Sequence, residues 1–476
     1  MSTTTDRTAA PTTPTTDHAR RDLLRLATAG SVDDGKSTLI GRLLYDTKSV
    51  LADQLAAVER ATLARGGDQV DLALLTDGLR AEREQGITID VAYRYFSTAR
   101  RAFVLADTPG HVQYTRNMVT GASTAELAIV LVDARKGVLE QTRRHAALTA
   151  LLGVPHVVLA VNKMDLVGFD AATFRSIAAE FADYARVVGL PDVAAVPVSA
   201  LDGDNVVDRS ARTPWYDGPT LLELLEQVPV RRDATTEPLR LPVQYVIRPR
   251  TPEHPDYRGY AGKVASGVVR VGDDVRVLPS GRTSRVVGID TFDGPLDVAD
   301  APRSVTVRLA DDVDVARGDV LVPADEEVHV GQDLVGTVCW LTERRSVLGQ
   351  RVLVRVGTRT VRGLLREVDA RLDVDTLTVQ VWDPVDTVRT LDAADTDDAA
   401  PRALGLNAIG RVHVRLAEPV PLDDYATHRR TGGFLLVDPS DGSTLAAGMA
   451  GPTLLDRLAP VPADTRDDDW LAGAGI

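Results

Sequence analysis

Cysteine is almost missing from this chain. The one residue among 476, Cys339, has no partner for an intramolecular disulfide, so the composition fits a reducing compartment. Cys339 sits beside Trp340 and reads as a small buried apolar residue. Aromatic residues are also few, at 4%, so small aliphatic side chains must fill the cores. That suits α/β layers and small barrels. No apolar run reaches the roughly 18 residues a membrane-crossing helix needs. The opening segment, MSTTTDRTAAPTTPTTDHAR, lacks the apolar stretch of a secretory leader. Its Thr, Pro and Ala content predicts a disordered tail over 1–21. A cytoplasmic protein without a membrane partner is expected.

Positive charge is short as well. Lys and Arg number 54 against 68 Asp and Glu, a net charge of −14, which weighs against general nucleic-acid binding. Lysine is scarcer still: Lys36, Lys48, Lys136, Lys163 and Lys263 are all there are. So rare a residue marks positions that Arg does not fill, and two of the five fall inside the motifs below.

What is present is a chain long enough for about three domains. Residues 22–30 read as a buried strand and 36–44 as a helix, followed by a polar, helix-prone stretch over 45–85. Strands are expected near 87–96 and 101–106, and at 127–132, 157–161 and 194–198. Helical patterns lie at 139–152 and 171–188. This alternation predicts an α/β P-loop domain over 22–232, with a mostly parallel sheet covered by helices on both faces. RRDATTEPLRLP then reads as a linker. Short alternating strands with Gly turns predict an antiparallel β-barrel over 238–330 and a second over 333–452. Strands of the second are expected at 352–356, 361–368, 377–382, 411–416 and 434–438, with an acidic loop at 385–402. Residues 453–476 read as a C-terminal tail.

Four motifs carry chemistry. The first is GSVDDGKS, comprising Gly30, Ser31, Val32, Asp33, Asp34, Gly35, Lys36 and Ser37. It follows a strand and opens a helix, as a phosphate-binding loop must. The glycines let backbone N–H groups and the helix N-terminus face an anion. Lys36 is expected at the β- and γ-phosphates, Ser37 on Mg²⁺ and Thr38 at the α-phosphate. The second is Asp107, Thr108, Pro109, Gly110 and His111, after the strand AFVLA. Asp107 can hold Mg²⁺ through water, and Gly110 can contact the γ-phosphate through its backbone and move when that group leaves. His111 stands where a residue could orient the attacking water. His145 and His156 are read as ordinary packing residues.

The third motif, Asn162, Lys163, Met164 and Asp165, selects the base. Guanine presents two donors on one edge, N1–H and the 2-amino group, and Asp165 can accept both. A site built this way rejects a base lacking them by roughly 10⁴–10⁵. Lys163 is expected to pack along the base and Asn162 to tie the loops together. Ser199, Ala200 and Leu201 fit the companion loop that meets the guanine oxygen with backbone N–H. Between the first two motifs, in EREQGITID, Thr88 is the candidate switch residue for Mg²⁺ and γ-phosphate. Lys36, Thr88 and His111 are thus the candidate catalytic groups for GTP hydrolysis. Ser37, Thr88 and Asp107 are the candidate metal ligands.

The layout resembles the translation-factor-like GTPases, through DTPGH, GITI and the segment SGVVRVGDDVRVLPSG. Within that superfamily three stretches resemble the large, GTPase subunit of bacterial sulfate adenylyltransferase: GSVDDGKSTLIGRLLYDTKSV, LLTDGLRAEREQGITIDVAYRYF and RTGGFLLVDPSDGSTLAAGMA. The resemblance runs from about residue 22 to 450. It implies a GTP-hydrolysing subunit with Mg²⁺, paired with a small adenylyltransferase subunit in a heterodimer or larger assembly. In that pairing GTP hydrolysis drives the uphill formation of adenosine 5′-phosphosulfate and pyrophosphate from ATP and sulfate. No sulfate-binding or adenylylating signature occurs here, so that site is expected on the partner. The fused C-terminal adenylylsulfate kinase of some relatives is expected to be absent, since no second G-x-x-x-x-G-K occurs. A translation factor that binds RNA shares the fold and nucleotide motifs. The SVDD loop and the stretch Leu74–Phe96 distinguish the two. NKMD and the two switches argue against a small-molecule kinase.

Overall fold

The structure is a computed structural model that describes residues 22–64, 72–75, 90–111, 114–190, 192–229, 235–249, 251–252, 256–382 and 403–458. Thr88, the tail 1–21, the acidic loop 385–402 and residues 459–476 lie outside the described residues.

The first part is one six-stranded sheet. Its strands are β1 (Leu23–Gly30), β2 (Ala92–Ser97), β3 (Ala102–Asp107), β4 (Leu127–Asp133), β5 (His156–Asn162) and β6 (Asp192–Pro197), in the order β2-β3-β1-β4-β5-β6. All neighbours are parallel except β2 against β3. Among the described residues six α-helices accompany them: α1 (Lys36–Asp46), α2 (Ala52–Ala64), α3 (Thr115–Ala122), α4 (Glu140–Leu151), α5 (Ala171–Val188) and α6 (Leu221–Gln227). The sequence reading had neither α3 nor α6.

Every residue of β4 is buried, which is why LAIVLVD is apolar throughout instead of alternating. Successive residues go to opposite faces: Leu26 and Ile129 enter one core with Leu39 and Leu221, while Ala27 and Val130 enter another with Leu148 and Phe181. The edge strand β2 does alternate on its outer face, leaving Tyr93 and Tyr95 exposed. It starts at Ala92, later than the sequence pattern implied.

Two closed six-strand barrels follow. In the first, Asp274–Leu278, Val320–Pro323, Leu241–Ile247, Gly259–Lys263, Ser304–Leu309 and Arg282–Thr291 form a ring, closed by pairing of the first with the last. In the second the ring is Arg351–Val356, Gly433–Val437, Thr444–Ala450, Val330–Trp340, Ile409–Pro421 and Arg359–Leu372.

The sequence reading had no strand at Val330–Trp340. Its second half is buried on both faces, so the period of two is lost. Val338 and Trp340 enter the barrel's own core, whereas Cys339 enters a core shared with α4 and α5. Ile409, Met449, Leu454 and Leu455 join that shared core. The last two belong to a short helix, Leu454–Leu458, so the stretch read as a tail begins with a packed turn. The second barrel is therefore fastened to the first domain by apolar burial.

Candidate functional site

The register of the sheet places the chemical residues on one edge. Thr28 of β1 stands beside Asp107, Gly30 beside Leu131, and Asp133 beside Asn162. Thus β1, β3, β4 and β5 all end at the same side. The order also reverses at β1, with β3 on one flank and β4 on the other. In open α/β sheets that crevice is where ligands bind.

Gly30 ends β1, and the loop turns through Asp33 (φ 68°) and Gly35 (φ 91°) into α1. Gly35 is required twice over. Its backbone is left-handed, and a Cβ there would lie 2.4 Å from Asn162 Nδ2. The Ser31 N–H donates to the Asp34 carboxylate at 2.6 Å, which holds the loop curled. Burial raises the Asp34 carboxyl above its ordinary range, against the pull of Lys36.

Lys36, the first residue of α1, is buried. Its ammonium donates to the carbonyls of Gly30 at 2.8 Å and Ser31 at 2.9 Å. Burial lowers its pKa, with Asp34, Asp107 and Asp33 pushing the other way. Ser37 and Thr38 occupy the first turn of α1 and are half-buried. Asp107 ends β3 and is buried; Thr108 behind it donates through its hydroxyl to the Thr28 carbonyl. Pro109 and Gly110 are buried too. Gly110 lies against the phosphate loop, since a Cβ on it would be 2.2 Å from Lys36 Nζ and 2.4 Å from the Gly30 carbonyl. His111 is half-buried, its ring centroid 5.9 Å from that of Tyr114.

The Asn162–Asp165 motif, expected to select the base, joins the Gly30–Ser37 loop through Asn162. Asn162 Nδ2 donates to the Asp34 carbonyl at 2.7 Å, and Asn162 Oδ1 accepts from the Ala200 N–H at 2.9 Å. One side chain therefore holds three motifs together. Lys163 (φ 63°) donates to the Asp33 carbonyl and pairs with Asp133 at 3.1 Å. Burial alone would raise the Asp133 carboxyl. Bonds from Arg135 and Lys163 outweigh it and hold the group well below the usual carboxylate range. Met164 is fully buried and anchors a 3₁₀ turn, Met164–Val167, that carries the half-buried Asp165. Ser199 and Ala200 are buried, whereas Leu201 is exposed.

The structure thus gathers the described motif residues at one sheet edge. It also adds residues that sequence reasoning missed. Asp133 ends β4 as Asp107 ends β3 and Asn162 ends β5, a polar residue closing an apolar run, so its signal was present. Arg42 donates to the carbonyls of Ala200 (3.2 Å) and Leu201 from one turn and more into α1, with no motif to announce it. Among the described residues no group of three or more His, Cys, Asp or Glu could form a metal cage. No described helix is long and apolar enough to cross a membrane.

Comparison with known proteins agrees with this geometry. Residues 21–230 match the family model "Elongation factor Tu GTP binding domain", and residues 334–450 match "GTP-eEF1A C-terminal domain-like". The "Bifunctional enzyme CysN/CysC" of Mycobacterium tuberculosis (strain ATCC 25618 / H37Rv) is 55% identical over 90% of this chain and 67% of its own length. "Sulfate adenylyltransferase subunit 1" of Bacteroides fragilis (strain YCH46) is 48% identical, covering 94% of this chain and 89% of that protein. Its counterpart in Cellvibrio japonicus (strain Ueda107) is 49% identical over 93% and 90%. At this identity and coverage, with that nucleotide-binding domain in front, the chain belongs to the sulfate adenylyltransferase subunit 1 family of the translation-factor-like GTPases.

Proposed function

We propose that this chain binds and hydrolyses GTP as the large subunit of a sulfate adenylyltransferase. Its hydrolysis drives adenosine 5′-phosphosulfate and pyrophosphate formation at a small partner subunit in the cytoplasm. The observation that carries the GTPase reading is the Asn162 junction. It fixes the Asp165 turn to the phosphate loop, so one ligand bearing both guanine and phosphates satisfies both. Relatives named as a subunit of the sulfate enzyme support the pairing.

The chemistry is transfer of the γ-phosphoryl group to water. Water oxygen bonds to phosphorus, the bond to the β–γ bridging oxygen breaks, and GDP leaves with inorganic phosphate. Such catalysis is mostly positioning and charge neutralisation. Lys36 exchanges its loop carbonyls for phosphate oxygens. The backbone from Ser31 to Ser37 lines the phosphates. Asp165 accepts from guanine, the Ala200 N–H meets its oxygen, and His111 orients the water.

The Ser37 hydroxyl and, through water, the Asp107 carboxylate would hold Mg²⁺, a hard oxygen set that suits that ion. Thr88 would complete it. Bound there, the ion would neutralise charge on the β- and γ-phosphates.

The test mixes this chain with the small subunit from the same source and measures sulfate-dependent pyrophosphate release. Release should rise well above the small subunit alone with GTP and not with a non-hydrolysable analogue. Asp165→Asn should weaken the dependence on GTP by at least about 100-fold in effective concentration, within the discrimination such sites reach. GTP hydrolysis without any change in pyrophosphate release would sink the pairing and favour an RNA-binding factor, for which salt-dependent tRNA retention is the check.

A further inference from the structure

Helix α4 touches the nucleotide site from behind, at a point no motif marks. Gln141 lies in its first turn and His145 one turn later, on the same face. Gln141 Nε2 is 3.5 Å from the Gly110 carbonyl and 3.0 Å from His145 Nε2. The amide orientation is dictated by its neighbour: turned over, Gln141 would present an oxygen to the Gly110 oxygen, acceptor to acceptor. Both N–H bonds of the amide are therefore in use.

His145 Nε2 must accept, which only a neutral ring can do. Burial, helped by Lys36 and Arg144, lowers the His145 pKa to about 3, so the ring stays neutral across the working range. Gln141 Oε1 and His145 Nδ1 are buried without a hydrogen-bond partner among the described residues. Buried polar atoms left unpaired are uncommon in folded proteins.

The pair meets the nucleotide site at Gly110, through Gln141 Nε2. On one side Gly110 lies against Lys36 and the phosphate loop, where not even a Cβ fits. On the other its carbonyl is held by Gln141. We infer that Gln141, oriented by His145, is a positioning residue for GTP hydrolysis. It sets the Gly110 peptide, and hence the backbone that meets the γ-phosphate, without touching the nucleotide. Helix α4 itself is fixed at its far end, where the Leu152 carbonyl accepts from Tyr425 of the second barrel at 3.0 Å. The Gly110 peptide is thus referenced to an element packed on the barrel and not to the switch segments alone.

This inference rests on the GTPase reading. The experiment compares the full-length chain with Gln141→Leu, which keeps the volume and removes both donors. Single-turnover GTP hydrolysis, affinities for a GTP analogue and for GDP, and thermal midpoint are measured. Hydrolysis should fall about tenfold to 100-fold, below the effect of removing a donor that touches the reacting charge directly. The affinity ratio of analogue over GDP should fall severalfold at nearly unchanged GDP affinity. His145→Leu should give a smaller loss, and the double variant should lose no more than Gln141→Leu alone, because the two act as one unit.

Hydrolysis and affinity ratio within twofold of the parent overturn the inference. So does an equal loss for both nucleotides with a fallen thermal midpoint, which marks a merely structural contact. If Gln141→Leu misfolds, Gln141→Asn, one methylene short of the Gly110 carbonyl, is read by the same criteria. A parent chain that neither binds nor hydrolyses GTP counts against the GTPase reading; hydrolysis untouched by the variants counts against this inference alone.

Discussion

Two buried cations, Lys36 and Arg240, sit in opposite states. Arg240 lies where the two barrels meet, with only 3% of its side chain exposed. Glu326 at 2.7 Å and Asp423 at 3.0 Å pair with it, and Asp423 also accepts from Thr431 at 2.5 Å. Burial opposes its charge, but these carboxylates hold its pKa above the ordinary value. Lys36 is nearly as buried and has only loop carbonyls as hydrogen-bond partners among the described residues, and burial wins. One cation is satisfied by the fold. The other donates to two loop carbonyls, with no carboxylate bonded to it among the described residues, and an anion would complete it. A buried cation bonded directly by carboxylates is structural; one bonded only by neutral carbonyls, with carboxylates acting from farther off, marks where a ligand can bring charge.

Breaking the two should therefore have opposite signatures. Arg240→Met strands two carboxylates in a poorly hydrated seam and should lower unfolding free energy by about 3–5 kcal/mol. Denaturant melts would show this, while hydrolysis per folded molecule stays within a few-fold. If hydrolysis collapsed with stability intact, the contrast would fail. Lys36→Met should do the reverse, with single-turnover hydrolysis down about 10²–10³-fold and the nucleotide-free thermal midpoint held or raised.

Nucleotide itself sharpens the contrast. GDP at about 100 times its dissociation constant should stabilise the parent by about 2.7 kcal/mol. At the same concentration Lys36→Met should gain much less, and Arg240→Met should gain as much as the parent.

The smallest effect is a pH dependence at the second barrel. The Asp369 pair raises the His413 pKa over the opposing effect of burial, while bonds from His413 and Arg411 lower that of Asp369 over the same opposition. The His413 contribution is complete below the ordinary histidine value of 6.5 and is lost as pH rises through its raised folded value. The Asp369 contribution is present above 3.8 and is lost as pH falls through its lowered value. The midpoint difference between the parent and His413→Gln should thus be largest near about pH 5–6 and shrink toward pH 9. A difference that is flat across that range would remove the pair as its source. His413 is more than a third exposed, so the effect is modest.

The family, the nucleotide and the order of layers were legible in the sequence, because each rests on local rules. Phosphate recognition needs glycines and a lysine at fixed spacing between a strand and a helix, so Gly30 to Ser37 announce themselves. The guanine reading rests on an Asn-Lys-x-Asp run after a strand end, and Asn162 to Asp165 supply that run. Fully buried parallel strands write themselves as apolar runs, as LAIVLVD does. The scarcity of lysine pointed to Lys36 and Lys163 without any fold.

What only the tertiary structure decided depends on partners far apart in the chain. That Val330–Trp340 is a strand was hidden because both its faces are covered, one by its own barrel and one by α4 and α5. That Arg42 supports the Ala200 loop, that Arg240 is saturated by Glu326 and Asp423, and that Gln141 reaches the Gly110 carbonyl were equally unreadable. A hydrogen bond has no spacing rule when its two ends come from different elements; packing alone brings them together.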